Sequence, residues 1–182
     1  MISNNLNVVP NISGVEIVNA KSFLDNRGQF VKLFNKDEFN GFNLNFNIEE
    51  IFYSYSVRDV IRGFHFQLPP FDLEKMVYVI QGKILDVVLD IRKDSPTYKK
   101  CFSIILSDEN KNIIHMPKGI AHAFAVLSDS ATVLYFTSKG FSPNHDSGIR
   151  WDSVGFDWGI KEPIISDKDK QLQTLEKFRS PF

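Results

Sequence analysis

The sequence is short of cysteine (one), of histidine (four), of long apolar runs and of any block dense in lysine or arginine. Each shortage removes a class of protein. A single thiol, Cys101, cannot build an intrachain disulfide framework, and a lone cysteine in an apolar stretch reads as core filler. The opening residues Met1-Ile2-Ser3-Asn4-Asn5 lack the basic and apolar regions of a secretory leader. No later stretch reaches the ~18 apolar residues of a membrane span, so no membrane role and a cytoplasmic location are expected. Charge is balanced, with 21 Lys and Arg against 22 Asp and Glu for a net -1, which argues against a nucleic-acid groove as well as an anionic membrane surface. Any bound phosphate must be held by a few placed residues.

What remains is β-forming. Of the 182 residues 43% are hydrophobic, enough for a sizeable core. Short runs of Val, Ile, Phe and Tyr between Gly, Pro, Asn and Asp clusters predict strands at 14–20, 30–34, 50–57, 60–67, 75–81, 83–90, 102–106, 112–115, 123–127 and 131–137. Gln81-Gly82 between two such runs reads as a hairpin turn. Residues 36–39 fit a short helical turn. Residues 166–178 are the one good helix candidate, with Ser166 and Asp169 at capping-box spacing. About ten strands with so little helix imply one all-β domain over residues 1–182, a double-sheet jelly roll with a short C-terminal helical segment. No repeat, linker or low-complexity segment interrupts it.

The chemistry-bearing stretch is Arg62-Gly63-Phe64-His65-Phe66-Gln67, followed after a Pro-Pro break by Lys75. A guanidinium, an imidazole and an ammonium so placed can hold a phosphorylated anion and move a proton. Strict alternation would put His65 and Gln67 on one face and Arg62 on the other. If Arg62 and His65 serve one cavity, the strand must be re-aimed between them, and Gly63 is where a bulge costs least. Further on, Pro117-x-Gly119-x-x-His122 resembles the second cupin motif, but the His-x-His pair that completes a cupin metal site is absent, since Gln67 stands two residues after His65. His115 and His145 fall at a strand end and in a loop, where solvated or structural roles are expected. A two-histidine site is a poor binder, and the expected barrel is metal-free.

Taken with Asp25-Asn26-Arg27-Gly28-x-Phe30, Val88-Leu89-Asp90-Ile91-Arg92, Ser95-Pro96-Thr97-Tyr98, Tyr135, Pro143, Trp151 and Ser166-x-Lys168-Asp169, these motifs are similar in order and spacing to the dTDP-4-dehydrorhamnose 3,5-epimerase family, from about Gly14 to Leu175. The resemblance implies a cofactor-free cupin, a homodimer paired through its N-terminal strands, acting on a nucleotide-diphosphate 4-keto-6-deoxy sugar in polysaccharide biosynthesis. It implies His65 as base, Asp169 as the carboxylate that orients it, Tyr135 as acid and Lys75 beside the developing enolate oxygen. Arg62, Gln67, His122 and Lys168 match substrate contacts, with Arg27 reaching in from the partner subunit. The chemistry suits the residues: inverting a carbon next to a ketone needs a base on one face, an acid on the other and a group polarising the ketone.

The sequence departs from the family pattern at several ligand positions. Lys32 replaces an acidic residue, Glu50 and Phe52 replace a Gln-x-Asn, Asp146 stands for a Glu, Phe141 for a tyrosine and Ser153-Val154 for Asp-Pro. These changes point to another nucleotide sugar, with the proton-transfer set intact. The competing readings are a non-catalytic nucleotide-sugar binding module, a cupin sugar 3,4-ketoisomerase, and a metal-dependent cupin, the last disfavoured by Gln67.

Overall fold

Several strands between residues 75 and 137 bury both faces, β-strand Ile120–Val126 along its whole length. Only stacked sheets with cover on their outer sides can hide such strands. In the computed structural model, which describes residues 6–8 and 12–182, the chain does this. The described strands are β1 (Leu6–Val8), β2 (Glu16–Asn19), β3 (Lys21–Asp25), β4 (Gly28–Lys32), β5 (Glu50–Val57), β6 (Ile61–Gln67), β7 (Lys75–Gln81), β8 (Lys83–Asp90), β9 (Cys101–Ser107), β10 (Asn112–Met116), β11 (Ile120–Val126), β12 (Ser130–Thr137) and β13 (Asp146–Gly148). Helix α1 (Lys36–Gly41) follows β4, and α2 (Asp167–Lys170) lies near the C-terminus. A six-stranded sheet in the order β1-β2-β10-β7-β12-β5 packs on a five-stranded sheet ordered β13-β6-β11-β8-β9, and β3-β4 is a separate hairpin. This is an all-β jelly roll with a short C-terminal helix, as the sequence implied.

Three apolar layers hold it. Val77, Val79, Ile114, Val133, Ile84, Val88 and Phe124 fill the space between the sheets. Ile61, Phe64, Phe66, Leu89 and Ile149, with Trp158 and Phe178, cover the outside of the five-stranded sheet. Phe39, Leu44 and Phe46 from α1 and the loop after it cover the outside of the six-stranded sheet. His115 sits in that third layer, its two ring nitrogens 2.8 Å from Glu16 and 3.2 Å from Glu74, a structural role. Cys101 packs at the rim of the second layer, and burial pushes its thiol up to about 11, which leaves it inert.

Two expectations are corrected. Gln81-Gly82 is not a hairpin turn, because β7 and β8 belong to different sheets. The chain turns a corner there, with Gly82 at φ +86° and so close to the Ser130 carbonyl that a side chain would collide. The C-terminal helix spans Asp167–Lys170 alone, not 166–178. Ser166 caps it, accepting from the Asp169 amide at 3.1 Å, but beyond it Gln173 bridges to Ile149 and the Leu175 amide donates to Ser153. Tertiary pairing thus draws the chain out of the helix. Strands β1, β3 and β13 have no counterpart among the expected ones: β1 precedes the first of them, β3 carries mixed polar residues, and β13 is only Asp-Ser-Gly.

Candidate active site

Strand β6 sets the geometry. Ile61, Phe64 and Phe66 point into the outer apolar layer, while Arg62, His65 and Gln67 line a cavity of about 280 Å³ between the sheets. Alternation alone cannot do this. On β11, His122 pairs with His65 and Phe124 with Arg62, so three steps on β6 oppose two on β11 and one residue is extra. That residue lies at Gly63, whose φ of +119° suits glycine, and where a Cβ would lie 2.5 Å from the Ala123 Cβ and the His122 carbonyl oxygen. The re-aiming that the sequence required therefore occurs at Gly63.

The walls of the cavity carry different chemistry. From the five-stranded sheet, His65 is 33% exposed and its Nε2 lies 2.7 Å from Asp169 Oδ1. The buried Asp169 also accepts from the Gly63 amide at 3.2 Å. Burial alone would raise the Asp169 carboxyl, but the hydrogen bonds from His65 and Gly63 outweigh it and hold the group below the ordinary carboxylate range. From the six-stranded sheet comes Tyr135, its hydroxyl 3.1 Å from Ser54 Oγ and its ring stacked on Phe52 at 4.7 Å. Burial pushes its phenol far above the usual value, so the group stays protonated. Lys75, at the start of β7, is pulled down to about 8 by burial, while Asp86 and Asp146 push back. His122 is buried with Nε2 2.7 Å from Asp86 Oδ2, and burial lowers its pKa. A flat ring lying between the sheets would have an imidazole on one side and a phenol on the other.

Around the mouth, Arg62 donates from Nε to Ser56 at 2.9 Å, Lys168 pairs with Asp146, and Phe141 is 61% exposed. Glu50 accepts from the Phe141 amide at 2.7 Å. Gln67 lines the wall, but its amide group donates to the Phe71 and Gly140 carbonyls at 2.9 and 3.3 Å and accepts from the Ser142 amide at 2.6 Å. Its polar atoms brace two rim loops instead of facing a ligand. Arg27 and Lys32 lie away from the cavity of their own chain: Arg27 sits at the tip of the β3-β4 hairpin, its side chain 87% exposed and paired with Asp25, and Lys32 borders a small crevice beside Phe39. Sequence reasoning did not single out Ser54 or Asp86, which meet Tyr135 and His122. A carboxylate between Ile84 and Val88, on the inward face of an apolar strand, was the available signal for the second. Among the described residues no group of three or more His, Cys, Asp or Glu is placed to hold a metal ion. Among the described residues no helix is long and apolar enough to cross a membrane.

The family profile described as dTDP-4-dehydrorhamnose 3,5-epimerase matches residues 10–177. The chain belongs to this family. Among the epimerases it resembles, the dTDP-4-dehydrorhamnose 3,5-epimerase of Shigella flexneri is 39% identical over 163 residues, 87% of this chain and 89% of that one. The crystal structure of the Bacillus anthracis enzyme with TDP and PPi bound superposes with a TM-score of 0.91 at 35% identity, covering 95% of this chain and all of that one. ChmJ, a 3'-monoepimerase from Streptomyces bikiniensis in complex with dTDP-quinovose, superposes at 0.85 with 28% identity over 91% of this chain and 85% of its own. The protein is thus an isomerase, a nucleotide-sugar epimerase inverting C3 and C5 or C3 alone.

Proposed function

We propose that this epimerase acts on a nucleotide-linked 4-keto-6-deoxy sugar through an enolate, with His65 as base and Tyr135 as acid, in the biosynthesis of a cell-surface polysaccharide sugar. The observation that carries the proposal is the placement of His65, braced by Asp169, and a protonated Tyr135 on opposite walls of one cavity that also holds Lys75. His65 removes the proton on the carbon next to the ketone, and the bonding electrons move onto the ketone oxygen, where the Lys75 ammonium meets the new charge. Tyr135 then gives its proton to the carbon from the other face. An enolate carbon is a far stronger base than a phenolate, so even a phenol held at high pKa delivers its proton downhill. Solvent returns a proton to Tyr135 and takes one from His65. His122 and Arg62 are the groups for the sugar hydroxyls and the diphosphate, with Lys168 and Asp146 at the rim. Incubation with a dTDP-linked 4-keto-6-deoxy sugar in deuterated water tests the proposal: carbon-bound deuterium supports it, and a protein that binds the sugar without incorporating deuterium is only a binding module.

The altered mouth supports a reading in which one carbon is inverted. Inverting C3 and C5 requires the ring to present each C–H to His65 in turn, and polar contacts must hold both poses. Phe141 gives up a hydroxyl, and Phe52 puts a second phenyl ring against Tyr135. Inversion is expected at C3 alone, where a neighbouring hydroxyl remains within reach of Lys75 and His122. Deuterium is counted at each carbon after reduction of the ketone, and label at both C3 and C5 with both centres inverted sinks this expectation.

The working form we propose is a homodimer. The β3-β4 hairpin exposes Phe23, Leu24 and Phe30 beside Arg27, and edge strand β5 exposes Ile51, Tyr53, Tyr55 and Val57. Apolar surface of this kind on strand edges is ordinarily covered by a partner. Arg27, which lies outside its own cavity, is then available to a neighbour's. Sedimentation at micromolar concentration is expected to give a dimer, and a fully active monomer contradicts it.

A further inference from the structure

Under the cavity floor lies a carboxylate that the proton-transfer steps do not use. Asp86 on β8 is completely buried, flanked on its strand face by Ile84 and Val88 of the central apolar layer. One of its oxygens meets His122 Nε2 at 2.7 Å; the other, Oδ1, is buried and has no hydrogen-bond partner among the described residues. Native cores rarely keep such an atom, because an unpaired carboxylate oxygen gives up its water for nothing unless its charge is used nearby. His122, which Asp86 holds, lines the same cavity as Lys75 and Tyr135, with its ring centroid 6.3 Å from that of Tyr135, so the charge bears on three groups, one from each of β7, β11 and β12.

We propose that Asp86 is a positioning residue whose single negative charge sets Lys75 and Tyr135 in their donating forms and fixes the ring of His122. The inference rests on the roles given above to Lys75 and Tyr135. A negative charge favours an ammonium and opposes a phenolate, so one buried carboxylate keeps the oxyanion cation charged and the acid protonated at the same pH. By accepting the Nε2 hydrogen of His122 it also makes Nδ1 an acceptor, the form that a sugar hydroxyl can donate to. The other charged neighbours do not replace it: Asp146 also favours the Lys75 ammonium but is paired with Lys168, while His65 bears on His122 and Arg62 on Tyr135.

The test is Asp86→Asn, which keeps an acceptor for His122 and removes the charge. In protein labelled with 13C at the lysine ε carbon, with Lys75 assigned from Lys75→Arg, the Lys75 titration is expected to fall from about 8 by about one unit or more. The alkaline limb of kcat is expected to move down with it, while KM changes little. A variant whose limbs stay in place while activity drops uniformly, or whose Lys75 signal does not move, overturns the proposal. Should Asp86→Asn not fold, Asp86→Ser is measured with added formate, which is expected to restore the alkaline limb; a limb that formate leaves unmoved overturns the proposal equally. The lysine titration needs no turnover. A wild-type protein that exchanges no deuterium therefore overturns the catalytic reading and this role with it, whereas an unmoved Lys75 in an exchanging enzyme overturns the role of Asp86 alone.

Discussion

His65→Asn is expected to lower turnover by about 10²–10⁴-fold, the contribution of a placed general base, while the protein stays folded. Because the His65 side chain is partly exposed on the cavity wall, its truncation opens no void in the packed layers. The cost to stability comes through Asp169, which loses its 2.7 Å partner and keeps the Gly63 amide. Leaving a buried carboxylate short of one donor costs about 1–3 kcal/mol, which a domain of this size survives. A further signature follows from linkage. The folded-state pKa of Asp169 is depressed, so its contribution to stability is present above the ordinary carboxylate range and lost as pH falls through the folded value. The acid side of the variant's stability curve should therefore be flatter than that of the parent. Deuterium exchange and thermal unfolding between neutral and acid pH read both effects, and retained turnover removes His65 from the role of base.

Tyr135→Phe should separate two steps that His65→Asn abolishes together. The substitution keeps the ring, its stacking on Phe52 and its place on β12, and removes only the hydroxyl that meets Ser54. Abstraction by His65 is untouched, so the substrate carbon should still exchange with solvent from the face it presents to His65. Delivery from the opposite face loses its proton source, and inversion is expected to fall by about 10²–10⁴-fold. The expected product is deuterated sugar of unchanged configuration. Normal inversion by this variant would mean that another group supplies the proton.

Several parts of this arrangement were legible in the chain. The apolar runs at 75–81 and 83–90 give β7 and β8 to the residue, because Gly, Pro and charged residues punctuate them. How those strands pair was not legible: Gln81-Gly82 has hairpin composition, but β7 pairs with β12 and β10 while β8 pairs with β11 and β9, which puts the two strands in different sheets. The C-terminal helix was overcalled for a similar reason, since local capping says where a helix starts and tertiary bridges decide where it stops. His65, Lys75 and Tyr135 could be picked out by residue type and order. Asp86 could not, because a strand pattern shows that a carboxylate points inward without showing which groups its charge will meet.

The bulge at Gly63 has one more consequence. Without that glycine, Ile61, Phe64 and Phe66 would still alternate with Arg62, His65 and Gln67, and β6 would be a more regular strand, each side chain on its present face. What it would lack is the main-chain N–H that the irregularity turns away from the neighbouring strand and towards the Asp169 carboxylate. One of the partners that hold the Asp169 carboxylate thus has no side chain, and an idealised redesign of the barrel would remove it while keeping every side chain of the cavity.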